Sequence, residues 1–341
     1  MAMSQRNLML AGGGALAALV VGWAVLGQVA DGKAEAAIVQ ALDEHGMRDQ
    51  VHWKSVSASP FGGSVRLDEV NITGVLGNAD MRIARVDIDD FIDEPRRKRA
   101  EVQMHGVSTS DGFSPLGEVE FVQASGRSQL PPAKLTMAWH MDLDDDTMTL
   151  AVALEQPDVM TARLDLALER VGALARLSEG GAAPSAFALP DRPRGRRGGP
   201  PPGMMGMGMA FQWLETMGEV RLKHLEAGLR DDGYVKRSIA LHKRYAIPVS
   251  PADGKAAAQR DTRFKADIEK AQRDCERDLP VTDVGARRKA CTTLTEFISG
   301  ETASIRLTLS PQRPVSVSEI VEQAMQAPAR LAPLLRPEIG S

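Results

Sequence analysis

One spacing of apolar positions recurs along this chain. Val65, Leu67, Val70 and Ile72 alternate with polar or charged residues, and the spacing returns as Met81, Ile83, Val86, Ile88, as Val102, Met104, Val107, Thr109, and as Val220, Leu222, Leu225, Ala227. Successive strand side chains point to opposite faces, so each half of the pattern predicts a strand with one buried face. The odd step in the middle reverses that face unless a bulge absorbs one residue. Each copy is therefore read as a strand with a central bulge or bend, and turn-like stretches at 74–78 and 93–97 separate the first three. Further strands are predicted at 118–124, 133–143, 147–154 and 161–168, the last two alternating cleanly through Met148, Leu150, Val152, Leu154 and then Leu164, Leu166, Leu168. Regular spacing of this kind predicts an extended antiparallel sheet, whose apolar face must be covered by helices, a second sheet or a lipid-like ligand.

A different pattern precedes the strands. Residues 8–29, LMLAGGGALAALVVGWAVLGQV, hold no charge and at about 1.5 Å per residue reach across a bilayer core of about 30 Å. The run is longer than a signal-peptide core, and Gln28 stands where a cleavage site wants a small side chain. An uncleaved anchor is the expectation, with Arg6 before it and the bulk of the chain on the far side of the membrane. Residues 31–50 read as a helix that continues from the anchor and lifts the folded part off the lipid. After the strands, 178–209 is rich in Gly and Pro and has no period, as in a linker or inserted loop. Helical periods then follow a turn at Asp231, Asp232 and Gly233, and run again over 252–278 and 284–299. A strand is predicted at 303–309, and Ser316 and Glu319 stand in capping-box spacing before a last helix.

The fold class that these elements predict is α+β: an N-terminal transmembrane helix followed by an extended antiparallel sheet with packed helices. Its expected divisions are a stub at 1–7, the anchor at 8–29, a juxtamembrane helix at 30–50 and an antiparallel β domain at 51–177. The linker at 178–209 and an α+β region at 210–341 complete the chain, the last sharing the same sheet if the strand near Val220 pairs with it.

Composition narrows the partners. A net charge of −4 with 25% charged residues is an ordinary surface and implies no nucleic-acid partner, and 4% aromatic residues disfavour stacking platforms for bases or sugars. The two cysteines, Cys275 and Cys291, fall on consecutive predicted helices around a turn, where an antiparallel hairpin brings them together. In an oxidising compartment they form a disulfide.

Other groupings lead to no chemistry. The six histidines have no metal-binding spacing. Asp142, Asp144, Asp145 and Asp146 resemble the start of a calcium loop, but Thr147 and Ala153 stand where that loop needs Gly and Glu, so a hairpin turn is the better reading. The stretch GQVADGKA at 27–34 lacks the Ser/Thr of a phosphate-binding loop. Met204, Met205, Met207 and Met209 offer soft thioethers, but with no His or Cys beside them they read as an adaptable apolar patch. Ser64 in FGGSV lacks a base and a following helix. No cofactor, metal or catalytic residue is expected. Arg192, Arg194, Arg196 and Arg197 in the linker are candidates for contact with lipid headgroups. Val65, Leu67, Val70, Ile72, Met81, Ile83, Val86 and Ile88 are candidates for a lipid-facing sheet surface.

The stretch SVSASPFGGSVRLDEVNITG at 55–74, with the apolar segment upstream, resembles the bacterial AsmA/TamB-like envelope proteins. In that family an N-terminal anchor precedes segments in which a Gly- or Ser-containing turn leads into an apolar-x-apolar-x-x-Val strand. The likeness covers 8–109 and, more faintly, 220–309. It implies lipid transport or outer-membrane assembly along an apolar β groove, although this chain is far shorter than the large members. The expectation is a non-catalytic, single-pass inner-membrane protein with its bulk in the periplasm, handling lipid or scaffolding envelope assembly. Its partners are then the lipid bilayer and a lipid ligand or an envelope protein complex. An accessory subunit of a membrane or secretion complex is the alternative, and an envelope hydrolase a remoter one.

Overall fold

The computed structural model describes residues 34–44, 47–59, 63–76, 79–109, 119–174, 218–250, 252, 254–279, 281 and 283–341. Its centre is one antiparallel sheet of twelve strands. In chain order these are β1 (Val51–His52), β2 (Ser55–Ala58), β3 (Val65–Leu76), β4 (Ala79–Asp93), β5 (Arg97–Thr109), β6 (Ala133–Asp142), β7 (Thr147–Gln156), β8 (Met160–Glu169), β9 (Arg221–Asp231), β10 (Ser304–Leu309), β11 (Val315–Ser316) and β12 (Pro337–Gly340). From β3 to β10 each strand pairs with the next in sequence, and β12 pairs with β10. Because β8 pairs with β9, the strand near Val220 extends the sheet begun at Val65, and residues 175–217 connect two neighbouring strands.

The recurrent spacing has a shared geometric cause in the first three strands. In β3 and β4, Leu67 faces Val86 and Val70 faces Ile83 with no break in register, although both strands carry the odd step between those pairs. In β4 and β5, Arg82 faces Ser108 and Arg85 faces His105, again unbroken. The extra residues Glu69, Ala84 and Gly106 therefore sit at one level and crease three strands together, so the same face stays buried on both sides. Glu69 and Gly106 have left-handed φ values of 50° and 69°. Lys54, between β1 and β2, pairs with Glu69 at the end of this line. At the level of the crease the register shifts where β5 meets β6, between Met104 and Val107, because β6 has no extra residue. The fourth copy is a lone bulge: Leu166 faces Leu225 and Leu168 faces Leu222, so β9 alone accommodates the odd step.

Among the described residues seven α-helices accompany the sheet: α1 (Ala34–Glu44), α2 (Val119–Ala124), α3 (Tyr234–Leu241), α4 (Ala256–Asp278), α5 (Val284–Ser299), α6 (Val317–Gln326) and α7 (Leu331–Leu335). A π-helical turn, His242–Ala246, continues α3. The two ends of α5 are set by side chain and backbone: the Asp283 carboxylate accepts from Ala286 N–H, and Gly300 at φ 76° closes the helix. Ser316 caps α6 by accepting from Glu319 N–H at 3.1 Å. The expected capping box is only half made, because the Glu319 carboxylate turns to Arg313 instead.

Three expectations are corrected here. The fold class placed a transmembrane helix first, whereas the described fold is the twelve-stranded sheet with its helices. Among the described residues no helix is long and apolar enough to cross a membrane. The longest, α4, has 23 residues but is charged throughout, as in its sequence QRDTRFKADIEKAQRDCERD. Residues 1–7 and 8–29 lie outside the described residues. The helix expected to lift the folded part off lipid instead packs on it: α1 buries Ile38 and Leu42, 1% and 0% exposed, in the core under the first strands. Finally, the strand expected at 118–124 is the helix α2, because β5 and β6 already pair with each other and leave no edge between them. Val122 packs with Leu130 and Val159 in a small separate core.

Candidate functional site

The sheet presents two chemically opposite faces. On the apolar one, cross-strand partners match like with like: Met104, Leu135, Leu154 and Ala162 form one row, and Val102, Met137, Val152 and Leu164 the next. Further rows join Leu150 to Leu166 and Leu225, and Leu229 to Ile305. The row through Leu164 continues by Ala227 to the sheet edge, where Leu307 faces Ile339. Every such pairing is a consequence of unbroken alternation, which keeps one set of positions on one side of the pleat.

Burial divides this face into two regions. The eight positions expected to meet lipid, Val65, Leu67, Val70, Ile72, Met81, Ile83, Val86 and Ile88, are between 2% and 8% exposed and form the core with Ile38 and Leu42. Those eight side chains are packed into the core and are not a free surface. On β8, β9 and β10 the same face is less enclosed: Leu164, Leu166, Leu225, Leu229, Leu307 and Leu309 each keep part of their surface open. Across β7, β8, β9, β10 and β12 this region measures about 20 Å at the usual strand spacing.

The opposite face is ionic. Asp87 takes Arg66 at 2.7 Å, Arg85 at 2.9 Å and His105 at 3.3 Å. Arg99 pairs with Asp90, and Arg306 with Glu226 at 3.2 Å. A groove of about 320 Å³ on this side is floored by Ala138, Thr149, Ala151 and Ala167 and flanked by His140 and His224. Those two histidines lie in one cross-strand row with Thr149 and Ala167 between them. Three strand spacings, about 14 Å, separate them, too far to share a metal or a proton. Among the described residues no group of three His, Cys, Asp or Glu side chains is placed to hold a metal. A second groove of about 360 Å³ includes Ser64 beside Arg66 and Asp87, with no histidine among its described lining.

The structure joins Cys275 on α4 to Cys291 on α5 in a disulfide, with the Cα atoms 5.8 Å apart. The Asp142 to Asp146 stretch is the turn between β6 and β7. Asp142 accepts from the backbone of Asp144 at 2.9 Å and Asp145 at 3.3 Å, and the Asp146 carboxylate accepts from Gly172 N–H at 2.9 Å. Burial pushes the Asp142 carboxyl up, but those two N–H groups together with Arg97 hold it below the ordinary carboxylate value. Arg192, Arg194, Arg196, Arg197 and the methionines 204, 205, 207 and 209 lie outside the described residues. The sequence shows β10 as a strand through the alternation of Ile305, Leu307 and Leu309 but not its place on the shared apolar face, and it gives no sign of β12, which is four residues after a proline-broken helix and has no pattern of its own.

No curated protein matches the chain. A family model described as "Uncharacterized protein" matches residues 153–340, from the second half of β7 to the end of β12. The match takes in the leucine rows of β8 to β10 and the disulfide-bonded helices, and with more than half of its length covered the chain belongs to that family of uncharacterised proteins.

Proposed function

We propose that this protein is a non-catalytic lipid-handling protein of the cell envelope, which lays acyl chains along the apolar face of β8, β9 and β10. The observation that carries the reading is the partial exposure of Leu164, Leu166, Leu225, Leu229, Leu307 and Leu309 on one sheet face. Contiguous apolar surface of this kind marks an interaction site. Together with the flanking strands β7 and β12 the face extends about 20 Å, enough for a lipid tail, which spans about half of a 30 Å bilayer core. The Cys275–Cys291 disulfide supports an oxidising, extracytoplasmic compartment. The resemblance of 55–74 to AsmA/TamB-like proteins points to the same ligand class.

The test is native mass spectrometry of protein purified in mild detergent, with titration of a fluorescent fatty acid. Retained lipid and saturable probe binding are expected, and Leu166→Lys weakens the probe on the order of tenfold because the ammonium resists burial. A protein that carries no lipid and leaves the probe in solution overturns the reading.

A further inference from the structure

Positive charge is concentrated in one part of a chain that carries −4 overall: residues 234–266 hold eight Lys and Arg against two Asp. This stretch comprises α3, the π-helical turn and the start of α4. Its inner side is fixed. Arg237 donates to the Ser125 carbonyl at 3.0 Å and Ser238 to the Ala124 carbonyl at 2.7 Å, which fastens α3 to the end of α2. Lys243 pairs with Asp261 at 2.8 Å and lies 4.7 Å from the Phe264 ring centre, which fastens the π-helical turn to α4.

The outward side is left basic and partly apolar. Lys236, Ala240 and Arg244, spaced four residues apart, are all exposed. Neither Lys236 nor Arg244 has a carboxylate partner among the described residues. Tyr245 is 73% exposed, and the Arg244 guanidinium sits 5.3 Å from its ring centre. Ala246 and Pro248 beside it are exposed, and Arg263 donates to the Pro248 carbonyl at 2.8 Å while remaining open to solvent.

We propose that the surface made by Lys236, Arg244, Tyr245 and Arg263 docks on an anionic phospholipid bilayer. Cations near such a surface are drawn to its negative potential, and a tyrosine ring favours the boundary where one end is apolar and the other wet. The exposed tyrosine with its apolar neighbours favours a bilayer over an acidic protein. The proposal stands on charge placement and not on the apolar sheet face, so acyl-chain binding and vesicle docking fail independently.

The experiment is co-sedimentation of the full chain with phosphatidylcholine vesicles, with and without phosphatidylglycerol, at low and high salt. The apolar 8–29 segment and the arginines at 192–197 are the same in every variant, so the substitutions at Lys236 and Arg244 isolate the α3 surface from both. Preferential, salt-sensitive binding to the phosphatidylglycerol vesicles is expected. Lys236→Gln with Arg244→Gln weakens it on the order of tenfold while probe binding by the sheet face is unchanged. Tyr245→Ser weakens it less. Equal binding to both vesicle types, or no effect of the double variant in a protein with an unaltered circular dichroism spectrum, overturns the proposal. Stronger retention on immobilised polyglutamate than on vesicles, with Tyr245→Ser without effect, overturns the bilayer as the occupant.

Discussion

A methyl group placed on Gly106 would stand 2.8 Å from the Cβ of Ala84 on the neighbouring strand. The two residues mark the crease shared by β3, β4 and β5, and Gly106 meets two demands there. Its φ of 69° lies in the left-handed region, and the backbones approach too closely for any side chain.

Gly106→Ala is expected to cost about 2–4 kcal/mol, from left-handed strain and a forced overlap. Gly228 on β9 provides the control, since a Cβ there meets nothing within 4 Å. Gly228→Ala raises stability by up to about 1 kcal/mol by removing chain entropy. Urea unfolding of the two variants with unchanged slopes checks the pair.

The Cys275–Cys291 bond closes a loop with a sequence separation of 16, worth about 3 kcal/mol in the chain-entropy account. A reducing agent lowers the melting temperature of the native chain and leaves a Cys275→Ser/Cys291→Ser variant unmoved. Equal melting of the native chain with and without reductant contradicts this.

Acid titration should reveal Asp142. Its folded-state carboxyl is held low by the Asp144 and Asp145 N–H groups and Arg97, against the opposing effect of burial. A depressed folded value means that its contribution is fully present above the unfolded carboxylate range and is lost as pH falls through the folded one. Asp142→Asn flattens the fall of the urea midpoint over that acid window and leaves the slope near neutrality unaltered.

Two truncations on one face separate core from candidate ligand surface. Ile83 is 2% exposed in the core, and Ile83→Ala costs about 2–5 kcal/mol. Leu166 is only partly enclosed, and Leu166→Ala costs about 1–2 kcal/mol. If bound lipid covers Leu166, added fatty acid raises the melting temperature of the native chain more than that of Leu166→Ala.

Strands with long two-residue alternation were legible because their apolar sets had to share a face: Val65 to Ile72, Met81 to Ile88 and Thr147 to Leu154 all fall in strands. The odd step was legible as a bend, but its alignment across three strands was not, because register is a relation between segments. The misread stretch at 118–124 is short enough for either period to fit. α5 was readable to the residue, since Asp283 and Gly300 punctuate it in the chain itself. The site was legible as an apolar face and not as to which part stays open. Ile83 and Leu166 look alike in sequence, and only the fold shows that the first joins the enclosed core with Ile38 and Leu42 while the second stays partly open. The basic surface on α3 was hidden for a related reason: which of its cations find a carboxylate depends on the fold of α4 beside it.

The shared crease restricts how this sheet can change by descent. Glu69, Ala84 and Gly106 each occupy one extra place at the same level, so deleting Ala84 alone would break register against both neighbours at once. Deleting Gly106 would instead move the register shift from the β5–β6 boundary to β4–β5. The length of the middle strand is therefore held by two neighbours, and descent can shed the step from an outer strand at less cost.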